Sequence, residues 1–427
     1  MAAKNVIIAQ SGGPSAVINN TLRGIILACM QDSSTFGTIY GGWHGIEGIL
    51  KEKLINLSAQ DIQEIELLRT TPAAGSIGTC RYKLKDGMRG DLDRITEVFK
   101  AHDIGYFFYI GGNDSQHTVM KVSRKCREAG LDIISVGVPK TIDNDMGDSE
   151  FKLIDHTPGY GSAAKYWAYN IQNLEQENRG SSPADPVIVT QAMGRKTGFL
   201  PAAARLADPG REFPLQIYMA ESKISLPEMA DNINSFLKSF GRCIVVVSEG
   251  YEAGIPGGIK DAFGHAGYGS AAISVQQVIV NYLNSIRLNA RGAARGQMPG
   301  TDQRHSMVYA SDTDLEEAYR IGEKAVEIAY SGDNGWMATL TRQAGPAYNI
   351  SYEKVPLDKV ALTERNFPEK WISENGYDVR DEFLEYARPL TGNEWVSIPL
   401  VNGIQRFTSF KAVFADKKLN KYIPEAY

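Results

Sequence analysis

Short apolar runs alternate along the chain with turns rich in glycine and acidic residues, and segments of helical period follow most of those turns. Ile104–Ile110 is an apolar, aromatic run of strand length that stops at Gly111-Gly112-Asn113-Asp114-Ser115. Ile133–Val138 is a second such run, and it stops at Pro139-Lys140-Thr141-Ile142-Asp143-Asn144-Asp145. Asn5–Gln10, Val187–Ala192 and Ile244–Ser248 have the same character. Between them the 3.6-residue period predicts helices over 16–30, 91–102, 159–173, 201–207 and 271–283. In the second of these, Leu92, Ile95, Val98 and Phe99 share one face. Residues 312–330 form a further amphipathic helix, with Asp312 or Asp314 available as a cap. Strand followed by helix, repeated, predicts doubly wound parallel sheets, which bind ligands beyond the carboxyl ends of their strands.

The turns at those strand ends hold the candidate chemistry. Ser11-Gly12-Gly13-Pro14-Ser15 lies between a strand and a helix, where backbone N–H groups and a positive helix end face an anion. An isolated glycine pair is equally compatible with a plain βα turn. Residues 41–48 are a second glycine-rich turn, and 70–81 are a third that ends in Arg81, within reach of a phosphate. Asp143 and Asp145, two apart, can hold a metal between them or divide labour, one taking a proton while the other holds charge. Lys140 supplies the opposite charge, a clamp on a transferring phosphoryl group. Alone, such an aspartate is most often a cap or an Asx turn; together the three point to chemistry. Further turns follow at Met193-Gly194-Arg195, at Glu249-Gly250 and around Asp261-Ala262-Phe263-Gly264-His265. Arg287, Arg291, Arg295 and Arg304 make a basic stretch beyond them.

Composition narrows the class. The 427 residues suit two domains with an appendage, and 43% hydrophobic with 22% charged residues is ordinary for a globular protein. A formal charge of -5 argues against a nucleic-acid or membrane-surface binder, so a phosphate site must be locally basic. Cys29, Cys80, Cys126 and Cys243 are far apart, which suggests neither a disulfide frame nor a zinc site. No basic leader or long apolar run is visible, and the expected location is cytoplasmic. Beyond Gly345 the chain is rich in Tyr, Pro, Glu and Lys, and its aromatics predict an extension packed on the body.

Taken together, Ser-Gly-Gly at 11–13, GSIGTCR at 75–81, GGNDS at 111–115, PKTIDND at 139–145, MGR at 193–195, SEG at 248–250 and DAFGH at 261–265 carry a resemblance. Over about the first 330 residues the chain resembles the phosphofructokinases, and more closely the pyrophosphate-dependent 6-phosphofructokinases. PKTIDND is the most specific of these signatures. The resemblance implies two doubly wound, Rossmann-like α/β domains. The donor domain would span 1–145 with about 300–345, the fructose 6-phosphate domain 146–299, and the extension 346–427. It implies Asp143 as the base on the 1-hydroxyl of fructose 6-phosphate, with Thr141 and Asp145 around it. Lys140 and Arg195 would complete the catalytic set. Gly12, Gly13, Arg81, Gly112, Asn113, Asp114, Ser115 and Lys140 would bind pyrophosphate, Gly12 through its backbone N–H. Met193, Gly194, Arg195 and Glu249 would line the sugar site, with Arg295, and less directly Arg287, on the 6-phosphate.

Nucleotide-using relatives have glycine at the position of Asp114 and usually at that of Lys140. A carboxylate beside an α-phosphate repels it, so both residues point to pyrophosphate. Mg2+ is the implied cofactor; since Asn113 stands where many relatives have a metal-holding aspartate, its ligands are Asp114 or the substrate oxygens and waters alone. The stretch 289–301 lacks the relatives' aromatic-glutamine-arginine pattern, and Pro186 stands where short bacterial ATP enzymes carry a basic residue. A homodimer or homotetramer is expected, with phosphate as product. ATP-dependent phosphofructokinase and a non-catalytic regulatory subunit are the competing expectations. A dinucleotide dehydrogenase is remote, because no GxGxxG opens a helix after the first strand.

Overall fold

A computed structural model describes residues 3–85, 87–252 and 274–426. The loops 254–258 and 264–269 and the DAFGH motif at 261–265 lie outside the described residues, as does the predicted helix start at 271.

Among the described residues, eleven strands build the two main sheets, and Leu400–Val401 pairs with Ile404–Gln405 in a small ribbon. The eleven are β1 (Lys4–Gln10), β2 (Phe36–Gly42), β3 (Leu54–Asn56), β4 (Ile104–Gly111), β5 (Ile134–Pro139), β6 (Val187–Ala192), β7 (Leu215–Tyr218), β8 (Cys243–Ser248), β9 (Ala294–Gln297), β10 (Trp336–Arg342) and β11 (Ile350–Pro356). The larger sheet has the order β11-β10-β5-β4-β1-β2-β3, with β1, β2, β4, β5 and β10 parallel and β3 and β11 antiparallel edges. The smaller sheet, β7-β8-β6-β9, is parallel throughout.

Side chains along β1 alternate between two cores because successive Cβ atoms point to opposite faces. Val6 and Ile8 join Ile18, Leu22 and Ile25 of the helix Ile18–Met30 and Ile321, Ala325 and Ile328 of the helix Asp312–Tyr330. Ile7 and Ala9 join Ile95, Val98 and Phe99 of the helix Arg89–Ala101. Strands covered on both faces have no polar side, which is why they read as unbroken apolar runs. The strand order reverses at β1 and β4, so the loops after these two strands flank the crevice of the larger sheet.

The structure lengthens and shortens the expected helices. The helix expected over 159–173 runs Tyr160–Ser181. Its last turns are polar yet partnered, since Arg242 grips Glu175 and Asn178 donates to the Asp185 carbonyl at 3.2 Å. The segment 201–207 divides into a short α-helix, Phe199–Ala202, and a 3-10 turn, Ala203–Ala207. Val275–Ser285 is capped by Ser274, whose hydroxyl accepts from the Gln277 N–H. Strands β2, β3, β7, β9, β10 and β11 lie outside the apolar runs singled out in the sequence. β9 is a mostly exposed edge, and β11 alternates weakly because its outer side meets solvent.

The segment after Gly345 is woven into both sheets. β11 closes one edge of the larger sheet, and Phe367, Trp371 and Phe383 enter the smaller sheet's core beside Trp167 and Phe199. The last residues return to the larger sheet. Asn56 donates its N–H to the Val413 carbonyl, Lys418 and Leu419 donate theirs to buried Glu52, and Tyr422 bonds Asp91. Among the described residues no helix is long and apolar enough to cross a membrane.

Phe383 is fully buried with its ring 5.3 Å from that of Phe367. Phe383→Ala is expected to destabilise the protein by about 3–5 kcal/mol, the cost of emptying an aromatic core site. A lowered urea midpoint would show this; a loosely appended segment would leave the midpoint unmoved.

Candidate active site

The loop after β1 is tied to the turn before Arg81. Gly12 donates its N–H to the Cys80 carbonyl at 2.9 Å, and Thr79 Oγ1 donates to the Gly12 carbonyl at 2.9 Å. The Gly12 N–H is therefore engaged within the protein, which corrects the expectation that it faces a donor. Gly12 is needed for two other reasons. Its φ is +78°, and a Cβ there would lie 3.3 Å from Lys140 Nζ. The same lysine donates to the Gly13 carbonyl at 2.7 Å. At Gly13 a Cβ would come within 3.0 Å of an Arg304 guanidinium nitrogen and 3.9 Å of one from Arg81.

The loop after β4 opens the helix Asn113–Glu128, with Gly112 as its cap residue. Asp114 lies in its first turn and pairs with Lys83 at 2.9 Å. Asn113 Oδ1 is buried and makes no hydrogen bond. Ser115 is buried beside Gly111, close enough that no side chain fits at that glycine.

The loop after β5 carries the densest charge. Lys140, Thr141, Asp143 and Asp145 are all buried, and Thr141 Oγ1 accepts from the Asp143 N–H at 3.1 Å. Burial pulls the Lys140 ammonium down to about 7, although Asp143 favours its charged form. Asp145 is pushed well up, first by burial and then by the neighbouring Asp143. Arg195 Nε, from the loop after β6, stands 3.7 Å from Asp143 Oδ2. The carboxyl-end loops of the two sheets therefore meet across this ion pair.

On the smaller sheet, Glu249 follows β8 and fixes the Met193-Gly194-Arg195 turn. Its Oε1 accepts from the N–H groups of Gly194 at 3.2 Å and Arg195 at 2.9 Å. Arg195 has φ +53°, and a Cβ at Gly250 would strike its carbonyl, so the approach requires glycine at 250. Burial pushes the Glu249 carboxyl up to about 7, opposed by the bond from Arg195. Gln303 accepts from the Met193 N–H at 2.9 Å and from Trp167 Nε1 at 3.1 Å.

A cavity of about 600 Å3 opens on the larger-sheet side, lined among others by Gly12, Gly13, Thr79, Arg81 and Arg304. Of the residues singled out by sequence, the structure gathers Gly12, Gly13 and Arg81 on one side and Met193, Gly194, Arg195 and Glu249 on the other. Lys140, Thr141, Asp143 and Asp145 lie between them. Two arginines stand apart. Arg295 lies on β9 opposite Ile188, near the amino end of β6, with Asp185 at 3.4 Å, whereas the site is at the carboxyl end. Arg287 borders a separate cavity with Leu288, Asn289 and Arg291. Within the chain neither reaches the loops: Arg295 sits near the start of a parallel strand, whose first residues lie at the edge remote from the ligand crevice, and Arg287 precedes that strand.

Arg304 reaches the loops instead. Its charged form is disfavoured by burial and by Arg81, while Asp143 and Glu249 favour it. A glutamine-arginine pair, Gln303-Arg304, stands just beyond the 289–301 stretch and was the available signal.

Doubly wound sheets whose strand ends present buried aspartates, a buried lysine and converging arginines define a phosphoryl-transfer class of site. The sequence profile of the Phosphofructokinase family matches residues 5–329, and the chain belongs to that family. It is 36% identical over 431 residues to the pyrophosphate–fructose 6-phosphate 1-phosphotransferase of Halomonas elongata, covering 99% of this chain and 100% of the other. The enzyme of the same name from Methylococcus capsulatus is 35% identical, with 98% and 99% covered. A crystal structure of a pyrophosphate-dependent phosphofructokinase from Nitrosospira multiformis superposes with a TM-score of 0.88 at 36% identity, covering 99% of this chain and all of that one.

The Glu249 carboxyl yields a pH prediction. A carboxyl whose folded value is raised contributes stability below its unfolded value, ordinarily 4.5, and loses it as pH rises through about 7. From pH 5 to pH 8, Glu249→Gln should gain on the unmutated protein by an amount on the order of 3 kcal/mol. Urea midpoints of the two proteins at both pH values measure this, and a pH-independent difference would contradict it.

Proposed function

We propose that the protein transfers a phosphoryl group reversibly from pyrophosphate to the 1-hydroxyl of fructose 6-phosphate. The products are fructose 1,6-bisphosphate and phosphate. It is an enzyme, a diphosphate–fructose-6-phosphate 1-phosphotransferase. The observation that carries the donor reading is the joint presence of Asp114 at the start of the helix after the glycine loop and of Lys140 against Gly12 and Gly13. A carboxylate at that place repels an α-phosphate, and a buried ammonium suits a short, highly charged donor.

In this reading Asp143 takes the proton of the 1-hydroxyl as that oxygen attacks the near phosphorus of pyrophosphate. The bond from that phosphorus to the bridging oxygen breaks, and phosphate leaves with the bond's electrons. Lys140, Arg81 and Arg304 hold the phosphates on the larger-sheet side, where fixed cations balance the negative charge of the transferring group. Arg195, 3.7 Å from Asp143, faces the transferring group. Glu249 turns Oε1 to the Gly194 and Arg195 amides, so its other oxygen is the one directed to a sugar hydroxyl. Arginine suits that role on the donor because its planar fork binds phosphate bidentately.

The residues fit a magnesium ion that arrives on pyrophosphate. Among the described residues there is no cluster of three acidic, His or Cys side chains, whereas Asn113 Oδ1 is buried without a partner beside Asp114. Mg2+ usually keeps waters and takes one or two protein oxygens together with substrate phosphates, and it would neutralise charge on the donor.

The proposed domain limits, 1–145 with about 300–345 against 146–299, agree with strands β1–β5 and β10 sharing one sheet and β6–β9 the other. A cytoplasmic location suits the four buried free cysteines. A homodimer or homotetramer is part of the same reading. The exposed Leu400, Val401 and Ile404 offer it an apolar surface. An ATP-dependent enzyme is disfavoured by Asp114 and Lys140, and a regulatory subunit by the joint presence of Lys140, Asp143, Asp145 and Arg195.

With Mg2+, purified protein should convert fructose 6-phosphate using pyrophosphate and run backwards with phosphate. Turnover with ATP alone would overturn the donor assignment. Asp143→Asn should lower kcat by roughly two to four orders of magnitude, the size of general-base catalysis, with fructose 6-phosphate binding nearly intact. Unchanged turnover in a coupled assay would assign the proton to another group.

A further inference from the structure

Between Asp143 and Asp145 stands Asn144, fully buried and in the left-handed region at φ +58°. That conformation sets the directions in which the two flanking carboxylates point. It is not held by neighbours in sequence. The guanidinium of Arg365, more than 200 residues away, supplies two of the bonds to Asn144, and the Thr157 N–H donates to Asn144 Oδ1 at 3.2 Å. Arg365 Nε donates to the Asn144 carbonyl at 3.1 Å, Nη2 to Asn144 Oδ1 at 2.8 Å, and Nη1 to the Ile154 carbonyl at 2.8 Å. The Arg365 backbone N–H donates to the Asp145 carbonyl at 2.7 Å. Asn144 Nδ2 donates to the Tyr386 hydroxyl at 2.8 Å, and that hydroxyl donates to the Asp155 carbonyl at 2.9 Å. One residue thus grips the peptide carbonyls of both Asn144 and Asp145, while Tyr386 and the Thr157 backbone reach the Asn144 side chain.

The setting of Arg365 is unusual for a cation. It is 1% exposed, with its guanidinium 4.3 Å from the Phe151 ring centroid and 5.6 Å from that of Phe199. Among the described residues no carboxylate lies within ion-pair distance of it. Asp155, Asp145 and Asp148 act on its charge through space. Burying an unpaired guanidinium is costly unless its donors are satisfied. Here they are satisfied largely by the turn between the two aspartates.

We infer that Arg365 is a positioning residue for phosphoryl transfer, fixing Asp143 and Asp145 through Asn144, with Tyr386 as its auxiliary. Asp143 is the base in the reading above, and the inference rests on that reading. The segment after Gly345 therefore contributes to chemistry as well as to the core.

The test uses the full chain with Arg365→Met, Arg365→Lys and Tyr386→Phe, assayed with whichever donor the unmutated protein turns over. Failure of the pyrophosphate reading then shows in the unmutated protein alone and stays separate from the variant comparison. Arg365→Met should lower kcat by roughly 10- to 100-fold while KM for fructose 6-phosphate stays within about threefold, because misplacing a base harms the transition state more than ground-state binding. Arg365→Lys should recover only part of that loss, since an ammonium cannot make the planar set of bonds. Tyr386→Phe, which removes one hydroxyl and keeps the ring, should lower kcat a few-fold with KM unmoved. Calorimetric binding of fructose 6-phosphate should be unchanged in all three. Variants that melt earlier yet keep the unmutated kcat would overturn the inference. If the Arg365 variants do not fold, an unchanged kcat in Tyr386→Phe overturns it alone.

Discussion

Two aspartates buried one residue apart impose the constraint on which the rest of the structure depends. Asp143 and Asp145 are both buried, and two carboxylates taken out of water beside each other call for opposite charge at hand. That charge comes from four directions. Lys140 is three residues earlier in the same loop, Arg195 follows β6 of the smaller sheet, Arg304 follows β9, and Arg365 belongs to the C-terminal segment. No single element could supply all four. A chain that places these carboxylates in a cleft must bring two sheet edges and a distant segment to the same place.

The glycines and amides of the neighbouring loops serve that convergence. Gly12 leaves room for the Lys140 ammonium, and the clasp to Cys80 holds the first loop beside Arg81. Glu249 does the corresponding work on the smaller sheet, tying the turn that aims Arg195 at Asp143. Charges held in this way need no rearrangement when negative charge develops on a transferring phosphoryl group, which is the main lever of such enzymes. The same tightness makes the site sensitive to groups that never touch a substrate. Asn144 transmits the grip of Arg365 and Tyr386 to its two neighbours, so the precision of the reaction loop is set partly outside the matched family region, which ends at 329.

Much of this was legible in local patterns. The apolar runs of β1, β4, β5, β6 and β8 are covered on both faces and so stand out as continuous segments, and the loops after them carry the chemistry because parallel sheets gather their carboxyl ends. Strands β9 and β11 were not legible. Their side chains meet solvent at sheet edges, and only pairing with β6 and β10 makes them strands. The arginine on the loops was likewise undecided by spacing. Arg295 and Arg304 lie nine positions apart in one basic stretch, and the direction of β9 sends the first to the far edge and the second to the cleft.

By itself, then, the sequence determined the doubly wound architecture, the acidic loop from Lys140 to Asp145 and the glycine loop that carries Asp114, because each rests on short-range order: period, turn chemistry or a contiguous motif. Tertiary structure decided what depends on distant segments meeting. It engaged the Gly12 N–H with Cys80, chose Arg304 over Arg295 and Arg287, and threaded the chain after Gly345 through both sheets to set Arg365 against Asn144. A buried guanidinium has no local pattern to announce it. Its role follows from which carbonyls the fold leaves for it to satisfy.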